Sequence, residues 1–201
     1  DLRAQYRRLS TEIEKALREV LESGHFILGP KVRTLEETLA RYLGVKHTVG
    51  VASGSDALVL ALMALGVGEG DEVITTPFSF IASANSILYE GALPAFVDIR
   101  LDTLNIDPER IEDFIRERCK FDPIRGRLID RVTDREVRAI LPVHVFGQPC
   151  DMDELMEIAD RYNLAVIEDA CEAIGAEYKG QRVGTFGKCG VFAFYPNKQI
   201  T

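Results

Sequence analysis

The sequence predicts an α/β fold of three layers, with helices covering both faces of a mainly parallel sheet. Two observations carry this expectation. From His47 to Asp169 short strand-like runs alternate with amphipathic helical stretches, the pattern of βαβ crossovers. The composition is that of a soluble globular chain, 46% hydrophobic, 8% aromatic and 28% charged over 201 residues, which sets aside disorder, collagen and coiled coil.

The elements follow in order. Two amphipathic helices come first, Arg3 to Leu21 and Val32 to Leu43, the second entered through Gly29-Pro30 and closed by Gly44. The alternation then runs through a strand at His47 to Ala52, a helix at Asp56 to Leu65, a strand at Glu72 to Thr76 and a helix at Ile81 to Tyr89. It continues with a strand at Ala95 to Ile99, a helix at Pro108 to Arg118, a strand at Val137 to Val143, a helix at Met152 to Tyr162 and a strand at Leu164 to Asp169. The charged insert Cys119 to Glu136 reads as a surface excursion or a hairpin. Tyr178 to Gly184 reads as a short hairpin, and Gly190 to Tyr195 as a strand leading to Lys198. The chain opens on Asp1 and stops at Thr201 with neither cap nor polar tail, which reads as a piece of something longer.

Charge narrows the partners. The net charge of −8 opposes a non-specific grip on nucleic acid or anionic membrane. No Lys or Arg occurs between His47 and Ile99, so that segment reads as interior, and an anion bound there would need backbone N–H groups, hydroxyls or cations from elsewhere. The longest nearly apolar run, Ala57 to Val67, is about half of what a membrane helix needs. Cys119, Cys150, Cys171 and Cys189 form no C-x-x-C pair, so a reduced, cytoplasmic compartment without a zinc site is expected.

Ligands of open α/β sheets sit beyond the carboxyl ends of the strands. Ala52-Ser53-Gly54-Ser55-Asp56-Ala57 is a small-residue turn opening a helix; its N–H groups suit a phosphate, or Ser55 or Asp56 simply caps the helix. Phe78 and Phe80 follow the Glu72 to Thr76 strand, where an aromatic face either stacks on a planar ring or fills the core. Glu168 and Asp169 end an apolar strand, where a carboxylate needs a cationic partner or a capping role. Lys198 follows Phe194-Tyr195-Pro196-Asn197, a setting in which desolvation makes an amine nucleophile. An aspartate for a pyridine nitrogen, a lysine for a Schiff base, a helix start for a phosphate and a stacking aromatic are together what pyridoxal phosphate requires.

These motifs resemble the sugar-nucleotide aminotransferases of the DegT/DnrJ group, a branch of the fold-type I pyridoxal phosphate enzymes. The resemblance rests on Leu2-Arg3-Ala4-Gln5-Tyr6, Ser53 to Leu58, Thr76 to Asn85, Val143 to Pro149, Glu168 to Ala173 and Phe194 to Lys198. It implies an aspartate-aminotransferase-like large domain at 46–201, preceded by a helical segment at 1–45 and lacking a C-terminal small domain. It further implies that Lys198 holds the cofactor (PLP, or PMP in the aminated form) as a Schiff base and serves as acid and base. Asp169 would pair with the pyridinium nitrogen, Phe80 would stack on the ring, and the backbone at Gly54, Ser55 and Asp56 would cradle the phosphate. Glu172 matches a position where the group places Gln, His or Glu near the ring hydroxyl. Ala193 stands where many members have Ser, and Cys171 where Ala is common.

The reaction so implied is ping-pong transfer of an amino group, usually from glutamate, to a keto-sugar linked to a nucleoside diphosphate, within a homodimer of shared active sites. Two alternatives remain: a pyridoxamine-dependent sugar dehydratase, whose members commonly replace the lysine with His, and a non-catalytic regulator that kept the fold.

Overall fold

The structure is a computed structural model and describes residues 1–200. The chain divides into two compact units, Asp1–Gly50 and Val51–Thr201. In the first, α1 (Leu2–Ser23) starts where the Asp1 side chain accepts from the Arg3 and Ala4 amides and stops at Gly24 in the left-handed region. Helix α2 (Pro30–Leu43) starts with proline in its first turn and stops at Gly44 in the same way. The expected strand at His47 to Ala52 does not form. A strand exists through its ladder, and none pairs this segment among the described residues; Thr48 and Gly50 instead donate to the Glu36 carbonyl and carboxylate, at 2.6 and 2.7 Å.

The second unit holds α3 (Gly54–Ala64), β1 (Asp71–Thr75), α4 (Ala82–Tyr89), β2 (Leu93–Phe96), α5 (Pro108–Arg118), β3 (Cys119–Asp122), β4 (Arg127–Asp130) and β5 (Arg135–Leu141). After these come α6 (Met152–Tyr162), β6 (Ala165–Asp169), the ribbon β7 (Glu177–Tyr178) with β8 (Gln181–Arg182), and β9 (Cys189–Val191). The parallel part of the seven-stranded sheet runs β2, β1, β5, β6, β9. Its order turns back at β1, with β2 on one side and β5 on the other, and open α/β sheets bind ligands at the carboxyl ends of such a reversal.

Strand alternation divides the core between the two faces. Val73, Ala139, Leu141 and Ile167 pack with Leu58 and Leu62 of α3 and Ile87 of α4. Their neighbours Ile74, Ile140 and Val166 pack with Ile111 of α5 and Leu155 of α6. The three-layer α/β expectation therefore holds.

Three details differ from the sequence reading. The insert Cys119 to Glu136 is a hairpin but no surface excursion: β4 pairs antiparallel with the first half of β5, Leu128 opposite Val137, while β6 pairs with Ala139 and Ile140 further along. Burying Leu128 and Cys119 against α5 draws it in. The cation-free stretch is only half interior, because Leu60 and Met63 of α3, Leu88 and Tyr89 of α4, and Ile81 just before α4 face outward. Strand β2 begins two residues earlier than expected and β9 stops at Val191, so an irregular stretch, not a strand, carries the chain to Lys198.

Candidate active site

Strand ends place the site. Asp169 closes β6, its amide donating to the Pro142 carbonyl at 2.9 Å and its carbonyl accepting from the His144 amide at 3.0 Å. Its carboxylate is 6% exposed as part of the residue. Oδ2 accepts from Ser83 Oγ at 2.8 Å and Oδ1 from the Cys171 amide at 3.2 Å. A carboxylate oxygen has two acceptor sites, so each keeps one for a further donor. Burial first, then the Asp169 charge, raises the Cys171 thiol well above its ordinary value and so disfavours the thiolate.

The turn after β6 gathers the remaining candidates. Glu172 Oε1 accepts from Lys198 Nζ at 2.9 Å, and Oε2 from the Phe146 amide at 3.1 Å. Burial works against the Glu172 charge, but the Lys198 hydrogen bond, the Phe146 amide and the Lys198 charge outweigh it and hold the carboxyl below its ordinary value. The Lys198 side chain is only 15% exposed. Phe146 supplies its amide from the left-handed region, at φ 54, a conformation that costs a bulky residue energy and tends to mark functional sites. Gln199 ties the same turn through its amide to the Glu172 carbonyl. Phe146, Glu172, Asn197, Lys198 and Gln199 line a cavity of about 230 Å³.

Gly54 joins from the opposite helix. A Cβ there would meet Ala193 Cβ at 2.9 Å and Cys171 Sγ at 3.1 Å, so only glycine lets the start of α3 approach this closely. The helix is capped by Ser53, not by Ser55 or Asp56: Ser53 Oγ accepts from the Asp56 amide at 3.1 Å and donates to its carboxylate at 2.8 Å. Among the described residues no hydrogen bond takes the Gly54 and Ser55 amides, which leaves donors for an anion. Phe80 lies beyond β1 with 77% of its surface exposed, and its carbonyl accepts from the Ser83 amide at 3.2 Å.

Glu168 faces the other way from Asp169, as strand alternation demands. Wholly buried, it accepts from His144 Nε2 at 3.1 Å and from the amides of Gly184, Phe186 and Gly187 at 2.6, 2.7 and 2.8 Å. His144 Nδ1 accepts from the Cys150 amide at 3.1 Å, which puts the ring proton on Nε2, toward Glu168. Sequence reasoning missed Ser83, His144 and Phe146.

The family model of the DegT/DnrJ/EryC1/StrS aminotransferases matches residues 7–201. The chain belongs to this family. Over 200 residues, all of this chain, it is 46% identical to 49% of the pleiotropic regulatory protein of Geobacillus stearothermophilus. It is 44% identical, over the same span and an equal share, to the UDP-N-acetyl-3-dehydro-alpha-D-glucosamine 3-aminotransferase of Acidithiobacillus ferrooxidans. A crystal structure of a family aminotransferase from Brucella abortus superposes with a TM-score of 0.89 at 36% identity, covering 98% of this chain and 50% of that one. The chain thus spans about half the length of the curated family members it matches. Among its described residues no helix is long and apolar enough to cross a membrane.

Proposed function

We propose that the whole protein is a pyridoxal-phosphate-dependent aminotransferase that delivers an amino group, with glutamate as donor, to the keto group of a nucleoside-diphosphate sugar. The observation that carries this reading is the gathering of an amine, Lys198, and a buried carboxylate, Asp169, around one turn after β6. The donor set suits the cofactor. Each Asp169 oxygen keeps an acceptor site for a protonated ring nitrogen, the unbonded Gly54 and Ser55 amides would donate to a phosphate, and the close approach at Gly54 supports a cradle there.

When bound, pyridoxal phosphate supplies the electron sink for amino-group transfer. The chain's own residues do the rest. Lys198 would hold the cofactor and carry a proton to and from the substrate carbon that bears nitrogen. Asp169 would hold the ring nitrogen, Phe80 would cover a ring face, and Asp56 would complete the helix start beneath the phosphate. Glu172, already fixed by the Phe146 amide, would orient the ring edge near Lys198.

The 46% identical Geobacillus stearothermophilus protein, named for regulation, favours a second reading, a regulator with the same fold. A regulator needs neither the Asp169 arrangement nor the Lys198 amine. A cytoplasmic homodimer completes the proposal, and the outward apolar residues of α3 and α4 support the dimer.

The test is a half-reaction on the full-length protein. Its pyridoxamine form, mixed with a panel of nucleotide-linked keto-sugars, is expected to return to the pyridoxal spectrum with one of them. An intact protein that takes up no cofactor would overturn the proposal and favour the regulator.

A further inference from the structure

Ser83 sits on the first turn of α4, is 1% exposed, and touches both sides of the site. Its amide donates to the Phe80 carbonyl at 3.2 Å, and its hydroxyl donates to Asp169 Oδ2 at 2.8 Å. Ser79 Oγ lies 2.8 Å from the same hydroxyl. A serine has one hydroxyl proton, and an ionised carboxylate only accepts. Ser83 therefore spends its proton on Asp169 and must accept from Ser79, which orders the chain Ser79 to Ser83 to Asp169. Ser86 fixes the turn from below by donating to the Ser83 carbonyl at 2.9 Å.

The Cys171 amide holds Oδ1 from the main chain, so no side-chain change removes it directly. Among the described residues Oδ2 has Ser83 alone. Without that hydroxyl the carboxylate is held through Oδ1 alone and can swing about that one contact, so its remaining acceptor sites no longer point in a fixed direction. We propose that Ser83, backed by Ser79, is a positioning residue that aims the Asp169 carboxylate at the cofactor's ring nitrogen while tying it to the backbone of Phe80. This rests on the pyridoxal phosphate reading above.

The experiment measures binding to the cofactor-free full-length protein, by quenching of its intrinsic fluorescence, for pyridoxal phosphate and for its deaza analogue, in which carbon replaces the ring nitrogen. Ser83 acts through that nitrogen, so Ser83→Ala is expected to weaken pyridoxal phosphate about ten-fold, the scale of one lost hydrogen bond to a charged group, and to leave the deaza analogue unchanged. Ser83→Thr restores most of the loss. Ser79→Ala, which spares Asp169's own partner and the fold of α4, gives a smaller loss with the same selectivity. Equal weakening of both ligands by Ser83→Ala, or no weakening of either, would overturn the proposal. Failure of the underlying reading looks different: the unmodified protein itself then binds neither ligand, or binds both equally.

Discussion

Replacing Glu168 by glutamine is expected to destabilise the Val51–Thr201 unit by about 2–6 kcal/mol. The carboxylate presents two oxygens to four donors: Oε1 serves the Phe186 and Gly187 amides, and Oε2 serves the Gly184 amide and His144 Nε2. A carboxamide has one oxygen and one NH2. In either orientation two buried donors face an NH2, and each unsatisfied donor costs about 1–3 kcal/mol. His144 offers no escape, since moving its proton from Nε2 to Nδ1 would set it against the Cys150 amide. The assay is urea unfolding of the full-length protein and of Glu168→Gln, followed by circular dichroism and compared at the midpoint and slope. A difference below about 1 kcal/mol would refute the reasoning, because it would mean that the amide finds partners the geometry denies it.

Three further outcomes follow from the same structure. Gly54→Ala places a Cβ 2.9 Å from that of Ala193, so it is expected to cost about 1–3 kcal/mol of stability and to weaken cofactor binding; Ala193→Gly in the same chain should recover part of both, and a strictly additive pair in melting and titration experiments would contradict the contact. Burial, followed by the neighbouring Asp130 charge, raises the Glu72 carboxyl above its ordinary 4.5, with Thr133 and Arg118 pulling the other way. The folded chain then holds this proton more tightly than the unfolded one, so the stability it contributes is full below pH 4.5 and fades as pH rises through the folded value. Melting curves should show the unmodified protein losing ground to Glu72→Gln over that window, whereas parallel pH profiles would contradict the shift. Asn163 ends α6 at φ 56 and donates to the Gly126 carbonyl at 2.9 Å, so Asn163→Ala should cost about 1–2 kcal/mol in urea unfolding and Asn163→Gly less; equal costs would show that the hydrogen bond alone matters.

Local signals were the legible ones. Helix α5 runs from Pro108 to Arg118 as the sequence predicts, and its cues are local: Asp107 caps it, Pro108 enters it and a basic last turn closes it. Asp169 is legible as a carboxylate at a strand end, and Glu172 and Lys198 as residues of motifs that the family resemblance carries. What the sequence hid depends on partners far along the chain. Ser83 meets Asp169 across 86 positions, and no spacing rule ties a serine on one crossover helix to the end of another strand. His47 to Ala52 has the composition of a strand, but composition supplies no neighbour to pair with. Strand β2 differs from its predicted span because Ile99 leaves the ladder to bridge Ile106, a contact made only once the chain folds back. Strand alternation does separate Glu168 from Asp169: adjacent residues point to opposite faces, so the two carboxylates serve different partners.

The central claim is that Lys198 is the amine that carries the cofactor. Borohydride reduction of the full-length protein loaded with pyridoxal phosphate, followed by peptide mapping by mass spectrometry, tests it most directly. The account predicts a single phosphopyridoxyl group on Lys198 and none in Lys198→Ala. A label on another lysine, or no label on a protein that still transfers amino groups, would contradict it.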